Sequence, residues 1–97
     1  MDVNEVNKCF HLRMLTPNEL IFEGKVLSLN CETTEGWYEV LPDHCAAIAA
    51  LISSIAKFTD ENGAEYKFKI DAGLLKVRDN EVIILCGTSS KYPAQEV

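Results

Sequence analysis

Several features are scarce in this sequence, and each scarcity removes a class of function. No stretch of the 97 residues runs uncharged for longer than Cys45 to Ala56, whereas a membrane-spanning helix needs about 20 mostly apolar residues. Met1 to Phe10 carries Asp2, Glu5 and Lys8 and no apolar core, so no secretory leader is expected. Basic residues are few: 9 Lys and Arg stand against 15 Asp and Glu, for a net charge of −6. Nucleic acid and anionic lipid both call for a basic footprint, so neither is expected as a direct partner. The glycines stand singly, which leaves no phosphate-cradling loop. There is no C-x-x-C and no H-x-x-x-H. Cys9, Cys31, Cys45 and Cys86 are scattered, and the near pairs are only Cys9 with His11 and His44 with Cys45. Reduced structural thiols in a cytosolic chain are therefore expected, rather than a zinc site or disulfides.

What is present is the ordinary mixture of a single globular domain, 47% hydrophobic and 25% charged. Met1–Cys9 is expected to be a polar arm. From Phe10 the chain alternates, with Phe10, Leu12 and Met14 on one side and His11 and Arg13 on the other, the signature of a half-buried strand. Thr16-Pro17-Asn18 ends it. A short strand follows over Glu19–Glu23, and another over Lys25–Glu32 with Leu27, Leu29 and Cys31 on one face. After a turn at Thr33-Thr34-Glu35-Gly36, Trp37–Leu41 reads as strand up to Pro42-Asp43. Cys45–Phe58, rich in alanine with Ile48, Leu51, Ile52 and Ile55, favours helix on propensity alone. Asp60-Glu61-Asn62-Gly63 is a hairpin signal, with Asn-Gly suited to positive φ at both central positions. Tyr66, Phe68 and Ile70 alternate, Gly73 interrupts, Leu75 and Val77 resume, and Asp79-Asn80 makes a tight turn. Val82–Cys86 is apolar on both faces and reads as a strand covered on both sides, so that Leu85→Ala should cost about 2–5 kcal/mol. Thr88–Val97 is polar. Short strands punctuated by turns every 8–12 residues or so indicate an all-β sandwich or barrel.

Chemistry is thin. His44 and Cys45 are sequence neighbours and point apart in an extended segment, which argues against a nucleophile–base dyad. His11 alternates with core residues and reads as a solvent-side strand residue. The acids are scattered, and no pair is placed for glycosidic chemistry. No catalysis and no cofactor are expected. Trp37 and Tyr38 stand out between two exposed turns, as side chains that either half-bury or anchor an interface.

Read in order, Phe10-His11-Leu12, Leu15-Thr16-Pro17, Phe22-Glu23-Gly24 with Val26, Thr34-Glu35-Gly36, Val40-Leu41-Pro42 with His44, Ala72-Gly73-Leu74-Leu75-Lys76-Val77, and Asn80-Glu81-Val82 with Leu85 resemble the epsilon subunit of F-type ATP synthases, called delta in mitochondria. The likeness runs from Phe10 to about Ser89, and its specificity lies in the order and spacing of the pieces. It implies an all-β sandwich of about ten strands over residues 10–89, followed by a polar tail over 90–97. Cys45–Phe58 would then be mostly strand. It further implies a non-catalytic central-stalk subunit that grips the gamma subunit and rests on the membrane c-subunit ring. Such a subunit would be cytoplasmic, peripheral on the inner face of the cell membrane, and would touch the membrane only through the complex.

The ring-facing residues carried over are Glu35, Gly36, Trp37 and Tyr38, with Pro42, Asp43 and His44 nearby. An acidic, aromatic-bearing loop suits ring loops that commonly carry Arg and Gln. Departures fall at Glu39, where the family usually has Gly, at Cys45-Ala46 for Ala-Pro, at Ile52-Ser53 for Pro-Gly, and at Asp71-Ala72-Gly73 for Ser-Gly-Gly. The family's C-terminal helical hairpin is not within these 97 residues, so neither hairpin-type inhibition nor an ATP site is expected. The competing readings are a free-standing cytosolic β-sandwich that binds a small molecule or senses redox state through its thiols, and a hydrolase or metal enzyme.

Overall fold

A computed structural model describes residues 8–91. Nine strands and no helix occur among them: β1 (Phe10–Leu15), β2 (Leu20–Thr33), β3 (Gly36–Val40), β4 (Ala47–Leu51), β5 (Ser54–Asp60), β6 (Glu65–Ile70), β7 (Gly73–Arg78), β8 (Glu81–Cys86) and β9 (Ser89–Lys91). The hydrogen-bonded order is β1-β8-β7-β4-β2-β5-β6-β9, with β3 on β2 and a further β1–β2 pairing. The strands fold into two layers. One holds β1, β8, β7 and β4, and the other holds β3, β2, β5, β6 and β9. Strand β2 serves both: Leu20–Val26 pairs with β1, and Leu29–Thr33 pairs with β3 while also reaching β5. All pairings are antiparallel except β1 with β8. Of the expected arm over 1–9 and tail over 90–97, only Lys8, Cys9, Ser90 and Lys91 are described; β9 occupies Ser89–Lys91.

The inner faces interlock in one core of Phe10, Leu12, Met14, Val26, Leu29, Cys31, Val40, Leu51, Ala56, Phe58, Phe68, Ile70, Leu75, Val77, Val82, Ile84 and Cys86. Phe58 is the hub of its aromatic end. Its ring centroid lies 4.6 Å from Phe22, 5.1 Å from Tyr66 and 5.7 Å from Phe68.

Four local expectations are corrected. Helix propensity over Cys45–Phe58 gives way to β4 and β5, because β4 satisfies its backbone against β7 over five cross-strand positions and puts Leu51 into the core. The expected face of Leu27, Leu29 and Cys31 breaks at a register shift between Val26 and Ser28, so that Val26 joins Leu29 in the core and Leu27 is only half-buried. At the β5–β6 turn only Gly63 has positive φ (88°). The Asp60 carboxylate instead accepts the backbone N–H groups of Asn62 and Ala64, each at 2.9 Å, an Asx-type turn. Finally, β8 is not covered on both sides: Val82, Ile84 and Cys86 are buried, while Ile83 is half-buried and Leu85 is 47% exposed.

The Asp79-Asn80 turn is as expected. Both residues have positive φ, 52° and 61°, and Arg78 pairs with Glu81 across them. Gly73 is required for a different reason, since a Cβ there would lie 2.1 Å from the Leu85 carbonyl oxygen.

Burial along β8 sets the cost of truncating it. Ile84→Ala should lose about 2–5 kcal/mol, and Leu85→Ala about 1 kcal/mol or less. Chemical denaturation of the two variants checks this. Equal losses would mean that the outer face of β8 is covered after all.

Candidate functional site

The residues expected at the ring-facing site occupy two turns joined by β3. In the first turn, buried Thr33 organises the backbone. Its hydroxyl donates to the Gly36 carbonyl at 2.9 Å and accepts from the Glu35 N–H at 3.0 Å. Gly36 has φ 115° with open space around it, so its lack of a Cβ serves backbone conformation alone. The Thr34 N–H donates to the Ala50 carbonyl and the Ile52 N–H to the Glu32 carbonyl, tying this turn to the end of β4. Glu35 and Gly36 are exposed, and Trp37 is 68% exposed.

The second turn is Leu41-Pro42-Asp43-His44. The His44 N–H donates to the Leu41 carbonyl at 3.1 Å, Pro42 presets φ, and Asp43 takes φ 66°. These are the marks of a type II turn. Asp43 is locked to the β7–β8 turn. Its N–H donates to the Asn80 side-chain oxygen at 2.7 Å, and its carboxylate accepts from the Asn80 amide at 3.0 Å. The Lys8 ammonium also contacts this carboxylate, and the hydrogen bonds from Lys8 and then Asn80 hold it below the usual carboxylate range.

The two turns lie at opposite ends of β3, about 15 Å apart at roughly 3.3 Å per strand residue. Tyr38 is the link between them. It points inward rather than standing free, with its ring 5.3 Å from that of His44. Burial raises its phenol above the usual range. Glu39 sits in regular strand opposite Asn30, outside the positive-φ region, so replacing the family's Gly there strains nothing. Ser53 and Ala72, at two further departures, likewise avoid positive φ.

Sequence reasoning missed two surfaces. The first is the outer face of β1-β8-β7-β4, where one cross-strand row reads Leu15, Leu85, Leu74, Ala50 and the next Arg13, Ile83, Lys76, Ile48. Ile48 is 69% exposed and Leu74 40%. Leu15, Pro17, Leu74 and Leu85 also line a groove of about 430 Å³. The signal was present in the unbroken apolar run of β8, which was read as burial on both sides. The second surface lies beside Trp37, on the outer face of β2, β5 and β6. No signal in linear sequence joins its residues.

The two buried thiols are poorly suited to redox sensing. Burial pushes Cys31 up to about 11 and also raises Cys86, which disfavours the reactive thiolate. No group of three His, Cys, Asp or Glu among the described residues is placed to hold a metal ion.

Two layers of short strands, with exposed turns at the ends of β3 and an outer face that exposes Ile48, Leu74 and Leu85, define a β-sandwich domain. Residues 9–91 match the family described as the ATP synthase delta/epsilon chain, beta-sandwich domain, and the chain belongs to that family. The ATP synthase epsilon chain of Clostridium novyi is 44% identical over 91% of this chain, and that of Clostridium perfringens 30% identical over 89%. The chain spans 66% and 64% of these relatives' own lengths. Among solved structures, a chain of the Euglena gracilis mitochondrial ATP synthase (OSCP/F1/c-ring) superposes with a TM-score of 0.84 at 22% identity. That match covers 91% of this chain and 56% of the other. A chain of the Tetrahymena thermophila mitochondrial ATP synthase central stalk and c-ring gives 0.71 at 17% identity, covering 82% and 64%. At these identities the structures establish the shared fold.

The Cys31 thiol makes stability depend on alkaline pH. Its folded value is raised, so the folded state holds the proton where the unfolded chain releases it. The contribution is complete below about pH 9 and is lost as pH rises toward about 11. We expect about 2–3 kcal/mol to disappear across that window. Urea titrations at pH 8 and pH 11 should show a smaller drop for Cys31→Val than for the parent chain, and the same drop in both would assign the effect elsewhere.

Proposed function

We propose that this domain is a non-catalytic, epsilon-type central-stalk subunit of a rotary ion-translocating ATP synthase. It joins the gamma subunit to the membrane c-subunit ring, so that rotation of one reaches the other. It stands on the cytoplasmic side, peripheral at the inner face of the cell membrane, and contributes no bond-making chemistry of its own. Family membership supports the assignment to an ATP synthase, and chains of two ATP synthase assemblies that include the c-ring share its fold.

The observation that carries the reading is the patch of exposed apolar side chains on the outer face of β1-β8-β7-β4, set among Arg13, Lys76 and Arg78. An isolated 97-residue domain gains nothing by exposing Ile48, Leu74 and Leu85 together. A partner that covers them recovers roughly 25 cal/mol per Å² of apolar area. We assign this face to gamma, and assign Glu35, Gly36 and Trp37 to the ring, with Tyr38, Pro42, Asp43 and His44 holding the shape of the neighbouring turn. The negative charge at Glu35 steers the turn toward basic ring loops, and Trp37 supplies contact area.

Two substitutions separate these contacts. Leu85→Glu should abolish capture of gamma by the purified chain while the far-UV circular dichroism spectrum stays that of the parent. Undiminished capture would remove the face from the gamma interface. Trp37→Ala should lower the occupancy of this subunit on reconstituted c-rings without loss of fold, and equal occupancy would take Trp37 out of the ring contact.

A further inference from the structure

Two left-handed positions in this fold carry side chains where the backbone favours glycine. Asp43 is the third residue of the type II turn Leu41–His44, with φ 66°, and Asn80 is the second central residue of the β7–β8 turn, with φ 61°. Both positions accept glycine most easily, and Asp-Gly is itself a favoured dipeptide for a two-residue hairpin turn. Neither turn therefore needs its polar side chain. The two side chains instead clasp each other across 37 positions of sequence: the Asn80 side-chain oxygen accepts the Asp43 N–H, and the Asn80 amide donates to the Asp43 carboxylate. The Asn80 carbonyl also accepts the His11 N–H at 2.9 Å, fixing the start of β1. Asp43 belongs to the turn that leads into β4, and Asn80 lies between β7 and β8. One residue pair thus ties the common end of all four strands whose outer face exposes Ile48, Leu74 and Leu85.

We infer that Asp43 and Asn80 are positioning residues for the gamma-facing surface, their clasp holding β1, β8, β7 and β4 in the arrangement that makes the exposed patch continuous. The inference rests on the assignment of that face to gamma. Arg13, Ile83, Lys76 and Ile48, one from each strand, form a single cross-strand row, so a partner meets one surface only while the four strands stay together. Strand β4 is the weakly held member. It edges the layer, and beyond β7 it pairs only through Leu51, opposite Thr33 at its far end. The clasp tethers the other end, where β4 begins. A surface ordered before the partner arrives spends less of the contact energy on ordering, so the clasp acts on affinity through the strands and without touching gamma.

Two double variants test this, with gamma binding by the purified chain and amide hydrogen exchange of the free chain as readouts. Asp43→Gly/Asn80→Gly suits both turns and deletes the clasp. Its far-UV circular dichroism spectrum should stay that of the parent, while its affinity for gamma falls about three- to tenfold. The amides of His11 and of Ala47–Leu51 should exchange faster than in the parent. The reciprocal variant Asp43→Asn/Asn80→Asp keeps a donor and an acceptor on both sides of the clasp, and should bind gamma within about twofold of the parent. It also takes the charge off position 43, so its recovery assigns the effect to the clasp rather than to the Lys8 contact. Unchanged affinity in the double-glycine variant, no recovery in the reciprocal one, unchanged exchange in β4, or loss of the strand spectrum on deleting the clasp would each overturn the inference. A parent chain that does not bind gamma would overturn the assignment of the face, and this inference with it.

Discussion

Strand β2 is the constraint on which the rest of the molecule depends. Its fourteen residues pair with β1, β3, β4 and β5, so one strand edges one layer and runs through the other. A strand that is straight and in register throughout would put alternate residues on one face all the way along. The shift between Val26 and Ser28 resets that alternation where the strand leaves β1 and joins β5. Val26 and Leu29 can then both enter the core. Because β2 ends at Thr33, whose buried hydroxyl builds the following turn, the exposed position of Glu35 and Trp37 depends on the same register.

This arrangement leaves the two outer faces and the two turns with different chemistry. The face over β1-β8-β7-β4 is apolar, with Arg13, Lys76 and Arg78 interspersed. The face over β3, β2, β5 and β6 mixes Lys57, Lys67 and Lys69 with Glu32, Glu39 and Glu65 around one tryptophan. The turns at either end of β3 carry acids. The net charge of −6 describes none of these surfaces individually. It sets the long-range tendency to approach basic partners, while local charge and area decide what binds where. Short strands cross-linked by hydrogen bonds hold the spacing between these surfaces more rigidly than loops would. The pair of hydrogen bonds between Asp43 and Asn80 extends that rigidity into the second turn, fastening it to the β7–β8 hairpin.

Much of this was legible in the residues, and the remainder was hidden for identifiable reasons. The alternation of Phe10, Leu12 and Met14, the Asp79-Asn80 turn and the all-β class were readable because each is encoded within a few neighbouring positions. The strand at Ala47–Leu51 was not, since alanine favours helix locally and only the pairing with β7 outweighs that preference. The place of Val26 in the core was hidden by a register shift that depends on β5. The outer face of β8 was hidden because an apolar run looks the same whether its second side is covered by another layer of the chain or left exposed. For the candidate site, a strand between the turn at Thr33–Gly36 and the one at Pro42-Asp43 was readable. That this strand sets Pro42, Asp43 and His44 at the far end from Glu35, and that Tyr38 turns inward between them, was not.

The same ambiguity explains why surfaces that look faulty for folding are informative. Ile48 at 69% exposure, Leu85 at 47%, and two lysines in opposition across β5 and β6 each run against what folding alone would select. Inside the core the reverse holds: Leu12, Met14, Leu29, Leu75 and Ile84 are fully buried, and the Asp79-Asn80 turn has the residues its geometry favours. A chain this consistent within its layers is not generally under-optimised. Its departures are confined to outward-facing positions. Departures at such positions cost the fold little, because an outer face can change without disturbing the core beneath it.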